Sequence, residues 1–165
     1  MTNGQYLMDI TGKYLAISTF EENNYNVIET EGEFNRVDLF IPNINKYVEV
    51  KFRQNSFAYF NEFYVPQEKT EYLKNNIPNS FIYYAWTDCY TMLSLDFVLK
   101  HKVDACRVAK NQATLKEGIT YNYIIQNNEV KTIPYNEKQK KIITMFFAKE
   151  SELRSNKRWF VQRNM

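Results

Sequence analysis

Apolar positions alternate between two periods along this chain, and the alternation marks its elements. Residues 4 to 23 carry Leu7, Ile10, Tyr14 and Ile17 at helical spacing, which predicts an opening helix with that stripe toward the core. Gly12 sits inside it and weakens it slightly. "NYNVIET" predicts a first strand near Tyr25 to Thr30, "EGEFN" a turn, and Arg36 to Arg53 a hairpin. An aromatic-rich stretch follows over 55 to 65. Pro66 is suited to the first position of a helix running to about Asn75. "SFIYYAW" reads as a buried strand, "YTMLSL" as another, and "DFVLKH" as a short helix capped by Asp96. "ITYNYIIQNNEVKTIPY" reads as a second hairpin turning at Asn127-Asn128. From about Asn136 the pattern is helical, with Ile142, Met145 and Phe146 on one stripe. Helices interleaved with strands predict an α/β (α+β) fold, a central mixed sheet flanked by helices.

Within the first hairpin, "PNIN" supplies the turn chemistry. A turn centred between Asn43 and Ile44 sets Asp38 opposite Glu49 and Arg36 opposite Lys51. Asp38, Glu49 and Lys51 then share one face, and Val37, Leu39, Ile41, Val48, Val50 and Phe52 share the other. Opposed Cβ atoms lie about 5 Å apart, so two facing carboxylates repel. Arg36 and Lys51 could neutralise them as a surface ion-pair lattice, which is worth little. A divalent cation explains the pair better, because Mg²⁺ is commonly held by one or two carboxylates with water and phosphate completing its shell.

Length and composition narrow the classes. The 165 residues suit a single domain over 1–165. No basic start with a long apolar run indicates a signal peptide, and no apolar run is long enough to span a membrane. Two cysteines outside any CxxC point to a reduced, cytoplasmic protein. A lone histidine, His101, argues against Ser-His-Asp hydrolysis, paired-histidine nucleases and histidine-rich zinc sites. Cys89, His101 and Cys106 match no standard zinc spacing. No phosphate-cradling glycine loop is visible. The formal net charge is +2, yet residues 138 to 163 hold eight basic residues against Glu150 and Glu152. A basic C-terminal helical segment at about 136–165 suits a polyanionic partner or forms a solvated face.

Asp38, ten residues, then Glu49-Val50-Lys51 resembles the D-x(n)-E-x-K signature of the PD-(D/E)xK nuclease superfamily, which includes restriction endonucleases and Holliday-junction resolvases. The flanking apolar strands and the element order over roughly residues 4 to 100 resemble it as well. The resemblance implies a restriction endonuclease-like core in α-β-β-β-α-β order and metal-dependent cleavage of phosphodiester bonds. It implies Asp38 and Glu49 as metal ligands with the Val50 carbonyl, and Lys51 beside the attacking water and the scissile phosphate. The cofactor would be Mg²⁺, with Mn²⁺ able to substitute. Val37 stands where many members have Pro. Many resolvase-like members also carry a Glu on the first helix, and counting back from Val27 to that place gives Lys13. Glu33 or Asp9 would have to supply the missing carboxylate.

Lys51, between two carboxylates, is expected to stay mostly charged. Arg36, Arg53, Gln54 and Gln67 lie near the site in sequence. Tyr59, Phe60, Phe63 and Tyr64 are expected to be mainly core, with base stacking as the alternative. Lys157 and Arg158, with Trp159, are candidates for backbone contacts on DNA. The expected function is a small Mg²⁺-dependent DNA endonuclease of bacterial, phage or mobile-element origin, cutting duplexes most simply as a symmetric homodimer. The alternatives are a non-catalytic DNA- or protein-binding module on the same fold, and an RNA-directed nuclease.

Overall fold

The computed structural model describes residues 3–30, 37–111 and 116–163, the side chains of 106–111, 116–118 and 157–163 excepted. The chain opens with α1 (Asn3–Glu22), followed by β1 (Ile28–Glu29), β2 (Leu39–Ile41) and β3 (Lys46–Phe52). Then come β4 (Glu62–Pro66), α2 (Gln67–Asn76), β5 (Ser80–Ala85), β6 (Cys89–Ser94) and α3 (Leu95–Leu99). β7 (Val103–Asn111), β8 (Lys116–Gln126), β9 (Ile133–Pro134) and α4 (Glu137–Arg163) complete it. No described helix is long and apolar enough to cross a membrane.

Six strands form a mixed sheet in the order β1-β2-β3-β5-β6-β9. Among the described residues its one parallel pair is β3 with β5. Parallel neighbours need a crossover, here supplied by β4 and α2. A separate antiparallel sheet, β4-β8-β7, stands beside the crossover.

Alternation along β5 assigns the layers. Tyr83 and Ala85 join Leu15, Ala16 and Phe20 of α1 and Phe146 of α4 in one core. Ile82 and Tyr84 join Leu73 of α2, Val98 of α3 and Ile125 of β8 in the other. A buried polar knot ties the first layer together: Thr19 Oγ1 lies 2.9 Å from Tyr83 Oη and accepts from Gln139 Nε2 at 3.0 Å. Buried polar atoms need such partners, so this knot fixes how α1 and α4 meet over β5.

Several expectations are corrected. The buried face of α1 is Thr11, Gly12, Leu15, Ala16, Ser18, Thr19 and Phe20, and Tyr14 is 56% exposed. Gly12 is there for space: a Cβ would stand 3.0 Å from Val50 Cγ1 and 3.1 Å from Phe52 Cβ. The stripe on α4 turns likewise, burying Ile143 and Phe146 and exposing Met145. Pro66 ends β4 and precedes α2 instead of opening it. Ser94, not Asp96, caps α3, accepting from Phe97 N at 3.1 Å, while Asp96 pairs with Lys74 at 2.7 Å. The second hairpin does not form. β8 pairs with β4 and β7, and the Asn127–Glu129 turn carries the chain across to β9, on the edge of the six-stranded sheet.

Candidate functional site

The hairpin register is the one the turn predicts, with Leu39 opposite Val48 and Ile41 opposite Lys46. It breaks at Asp38. The Asp38 N–H donates to the Val48 carbonyl at 3.1 Å, one residue short of the register, and Asp38 Oδ2 accepts the Val50 N–H at 2.8 Å. The irregularity turns Val37 away from the α1 layer into the opposite core, correcting its expected face. It also ends β2, so that among the described residues β3 has no strand neighbour on that side from Glu49 onward. Such an interrupted edge is where a sheet can re-aim side chains.

Around this open edge lies a cleft of about 340 Å³. Asp38, Glu49, Lys51 and Arg53 line it from the hairpin, and Asp9 and Lys13 from α1. Glu49 and Lys51 also line a second cavity of about 220 Å³ against α2, with Lys69, Thr70 and Tyr84. The two side chains thus stand between the α1 and α2 sides of the sheet.

Each carboxylate has a cation beside it. Lys13 Nζ is 4.0 Å from Asp38 Oδ1, and Lys69 Nζ is 3.4 Å from Glu49 Oε2. Glu49 Oε2 is buried, and its partner is the Lys69 ammonium. Burial and, after it, the Asp38 carboxylate push the Glu49 pKa up to about 8, against the pull of Lys69 and Lys51. Burial also raises Asp38, opposed by the Val50 N–H and by Lys13 and Lys69. Lys51 moves the other way. Burial, then Arg53, lowers it more than Glu49, Asp9 and Asp38 raise it. The carboxylates oppose the burial of Lys51, as expected, but burial and Arg53 outweigh them.

Of the expected site residues, Asp38, Glu49, Val50, Lys51, Arg53 and Asp9 are brought to one cleft. Gln67 is not: it donates to Glu71 Oε1 along α2 at 3.0 Å and lines neither cavity. Gln54 lines a separate groove between α1 and α4. Glu33 and Arg36 lie outside the described residues, and Lys157 and Arg158 belong to α4 with their side chains outside them. Along the described part of α4, Lys140 pairs with Glu137 and Arg154 with Glu150. Among the aromatics, Phe63 is core, whereas Tyr59 and Phe60 are 70% and 59% exposed.

Lys13 and Lys69 escaped the sequence reading as site residues. The signal for Lys13 was Asp9 one turn before it on the helix face that meets β3. For Lys69 it was only the phase of α2, where Thr70 and Leu73 turn inward.

No protein-family model matches this chain, and no curated protein matches it in sequence.

Proposed function

We propose that this protein is a divalent-metal-dependent nuclease that hydrolyses DNA phosphodiester bonds. One observation carries the reading: Asp38, Glu49 and Lys51 line a single cleft at a strand edge that no described strand covers, with both carboxyl groups raised by burial. Holding two carboxyl groups in a buried cleft costs stability even with Lys13 and Lys69 beside them, and a bound cation would offset that cost. The order α1, β1, β2, β3, α2, β5 within the main sheet, with β3 parallel to β5, supports a restriction endonuclease-like core.

The donors fit a hard cation. Asp38 and Glu49 would hold it, both being hard oxygen donors that line the same cleft. Among the described residues no group of three or more acid, His or Cys side chains gathers. A site with two carboxylates would hold Mg²⁺ or Mn²⁺ together with main-chain oxygen and water, rather than in an all-protein cage. When bound, the metal supplies Lewis acidity to the phosphate and acidifies a water. Lys51 sets an ammonium where negative charge develops on the phosphate. Before the metal arrives, Lys13 would offset the Asp38 charge, and a proton on Glu49, beside Lys69, would offset the other.

Lys13, at the place where a helix acid would be expected, favours a second reading, a non-catalytic DNA-binding module. Supercoiled plasmid with Mg²⁺ separates the two. The nuclease reading predicts nicking or linearisation that is lost with EDTA and in Lys51→Ala. Plasmid bound but uncut by the wild-type protein would favour the module, and undiminished cutting by Lys51→Ala would remove Lys51 from the chemistry.

A further inference from the structure

Arg53 connects the charged cleft to a different one. Its side chain lines both the 340 Å³ cleft and a neighbouring cavity of about 250 Å³. The Arg53 Nε–H donates to Tyr84 Oη at 2.8 Å, and Tyr84 Oη donates onward to the Tyr64 carbonyl at 3.1 Å. The guanidinium is thereby held at the boundary between the two.

The second cavity is aromatic. Trp86 and Phe63, both buried, form its floor with ring centroids 5.1 Å apart. Phe60 forms its rim, with Tyr59 edge-on at 4.7 Å. Both rings are exposed, and their loop is pinned rather than loose. Asn127 Nδ2 donates to the Phe57 carbonyl at 3.0 Å and to the Phe60 carbonyl, and Asn127 N donates to Asn61 O at 2.9 Å. Asp88 Oδ1 accepts the Phe57 N–H at 2.9 Å. Four hydrogen bonds thus hold large apolar rings in solvent, where each leaves a substantial apolar surface wet.

The charges sort what can enter. Lys13, Lys51 and Arg53 line the first cleft beside Asp9, Asp38 and Glu49, and Lys51 and Arg53 are the cations that would hold a polyanionic backbone there. The Glu62 carboxylate, held by Tyr64 Oη and Gln126 Nε2 at 3.0 Å each, lines the aromatic cavity and repels phosphate from it. A flat, uncharged ring with N–H donors meets all of these conditions.

We propose that the aromatic cavity receives an unpaired nucleobase from the strand whose phosphate lies against Lys51 and Arg53. This rests on the nucleic-acid reading above, and makes single-stranded or locally unpaired strands the preferred substrate. Bases stack on exposed aromatic rings without regard to sequence, and removing one such ring costs about tenfold or more in affinity.

The test is binding in EDTA, read by anisotropy and by 2-aminopurine fluorescence. A single-stranded oligonucleotide is compared with the same sequence as a blunt duplex. The wild-type protein should prefer the single strand and quench its 2-aminopurine. Phe60→Ala should lose about tenfold in single-strand affinity, together with the quenching, and Phe60→Trp should restore both. Equal affinity for both forms, unchanged by Phe60→Ala, would overturn the proposal, as would failure of the wild-type protein to bind either. Because no metal is present, a failure of metal-dependent cleavage leaves a positive binding result standing. Phe60-independent binding by an active nuclease refutes the cavity alone. Phe60 is exposed, so an unchanged melting temperature confirms that the variant is folded.

Discussion

Lys13 of the first helix stands with its Nζ 4.0 Å from Asp38 Oδ1. It shares the cleft with Asp38, Glu49 and Lys51, so its ammonium occupies part of the field a metal would need. Lys13→Gln should tighten Mg²⁺ or Mn²⁺ binding several-fold. The gain is on the order of 1 kcal/mol, since the pair is partly solvated and screened. Titration calorimetry reads it. Weaker metal binding in that variant would mean that Lys13 orders the site instead of competing for it.

Gly12 lets α1 lie directly on β3. Gly12→Ala gains up to about 1 kcal/mol of helix propensity. Its methyl, however, would meet Val50 Cγ1 at 3.0 Å and Phe52 Cβ at 3.1 Å. Overpacking of this kind costs about 1–3 kcal/mol, so the variant should be destabilised in urea. It should also weaken metal binding, because Val50 carries the N–H that holds Asp38. A more stable Gly12→Ala would show that the helix can ride away from the strand freely.

The pH dependence of stability without metal has a definite sign. Glu49 rises from an ordinary 4.5 to about 8 in the fold. Between those values the native state holds a proton that the unfolded chain has released, so stability falls as pH rises. Asp38, also raised, acts in the same direction. Lys51, lowered, acts oppositely, adding stability as pH rises from its depressed value toward 10.5. In EDTA, denaturant unfolding should show stability dropping from pH 5 to pH 8, and Glu49→Gln should flatten the drop. A rise over that range in the wild-type protein would refute the buried carboxyl.

Ser94→Ala should cost about 1 kcal/mol, as removal of an N-cap does. Asp96→Ala should cost little, because its pair with Lys74 is exposed. Thermal unfolding of the two variants distinguishes the cap found from the cap expected.

What the sequence disclosed was local. The register of β2 on β3 follows from the Pro42–Asn45 turn and from alternation, and both survive in the fold. Asp38 reaches the same cleft as Glu49 and Lys51 through the break in the register at Asp38 and not by standing opposite Glu49, though its arrival there was legible too. The swap of Val37 was not, since it depends on where one N–H, that of Asp38, finds its acceptor. Pairing of β4 with β8 joins segments some sixty residues apart, Glu62 with Gln126. No turn chemistry announces such a partner, so "ITYNYIIQ" looked like half of a hairpin. The helix faces were misjudged at Tyr14 and Met145 because large apolar residues mark a stripe only roughly. Small residues, Gly12 and Ala16, lie where α1 comes closest to the sheet.

That Asp38 and Glu49 share one cation is tested most directly by calorimetry at pH 7, in two buffers of different ionisation enthalpy. With Glu49 near 8, the carboxyl holds a proton at that pH, and a metal must displace it. The wild-type protein should bind Mg²⁺ or Mn²⁺ with proton release. Asp38→Asn should lose the binding heat, and any residual binding by Glu49→Gln should release no proton. Metal binding that releases no proton and is indifferent to both substitutions would contradict a site built on this pair.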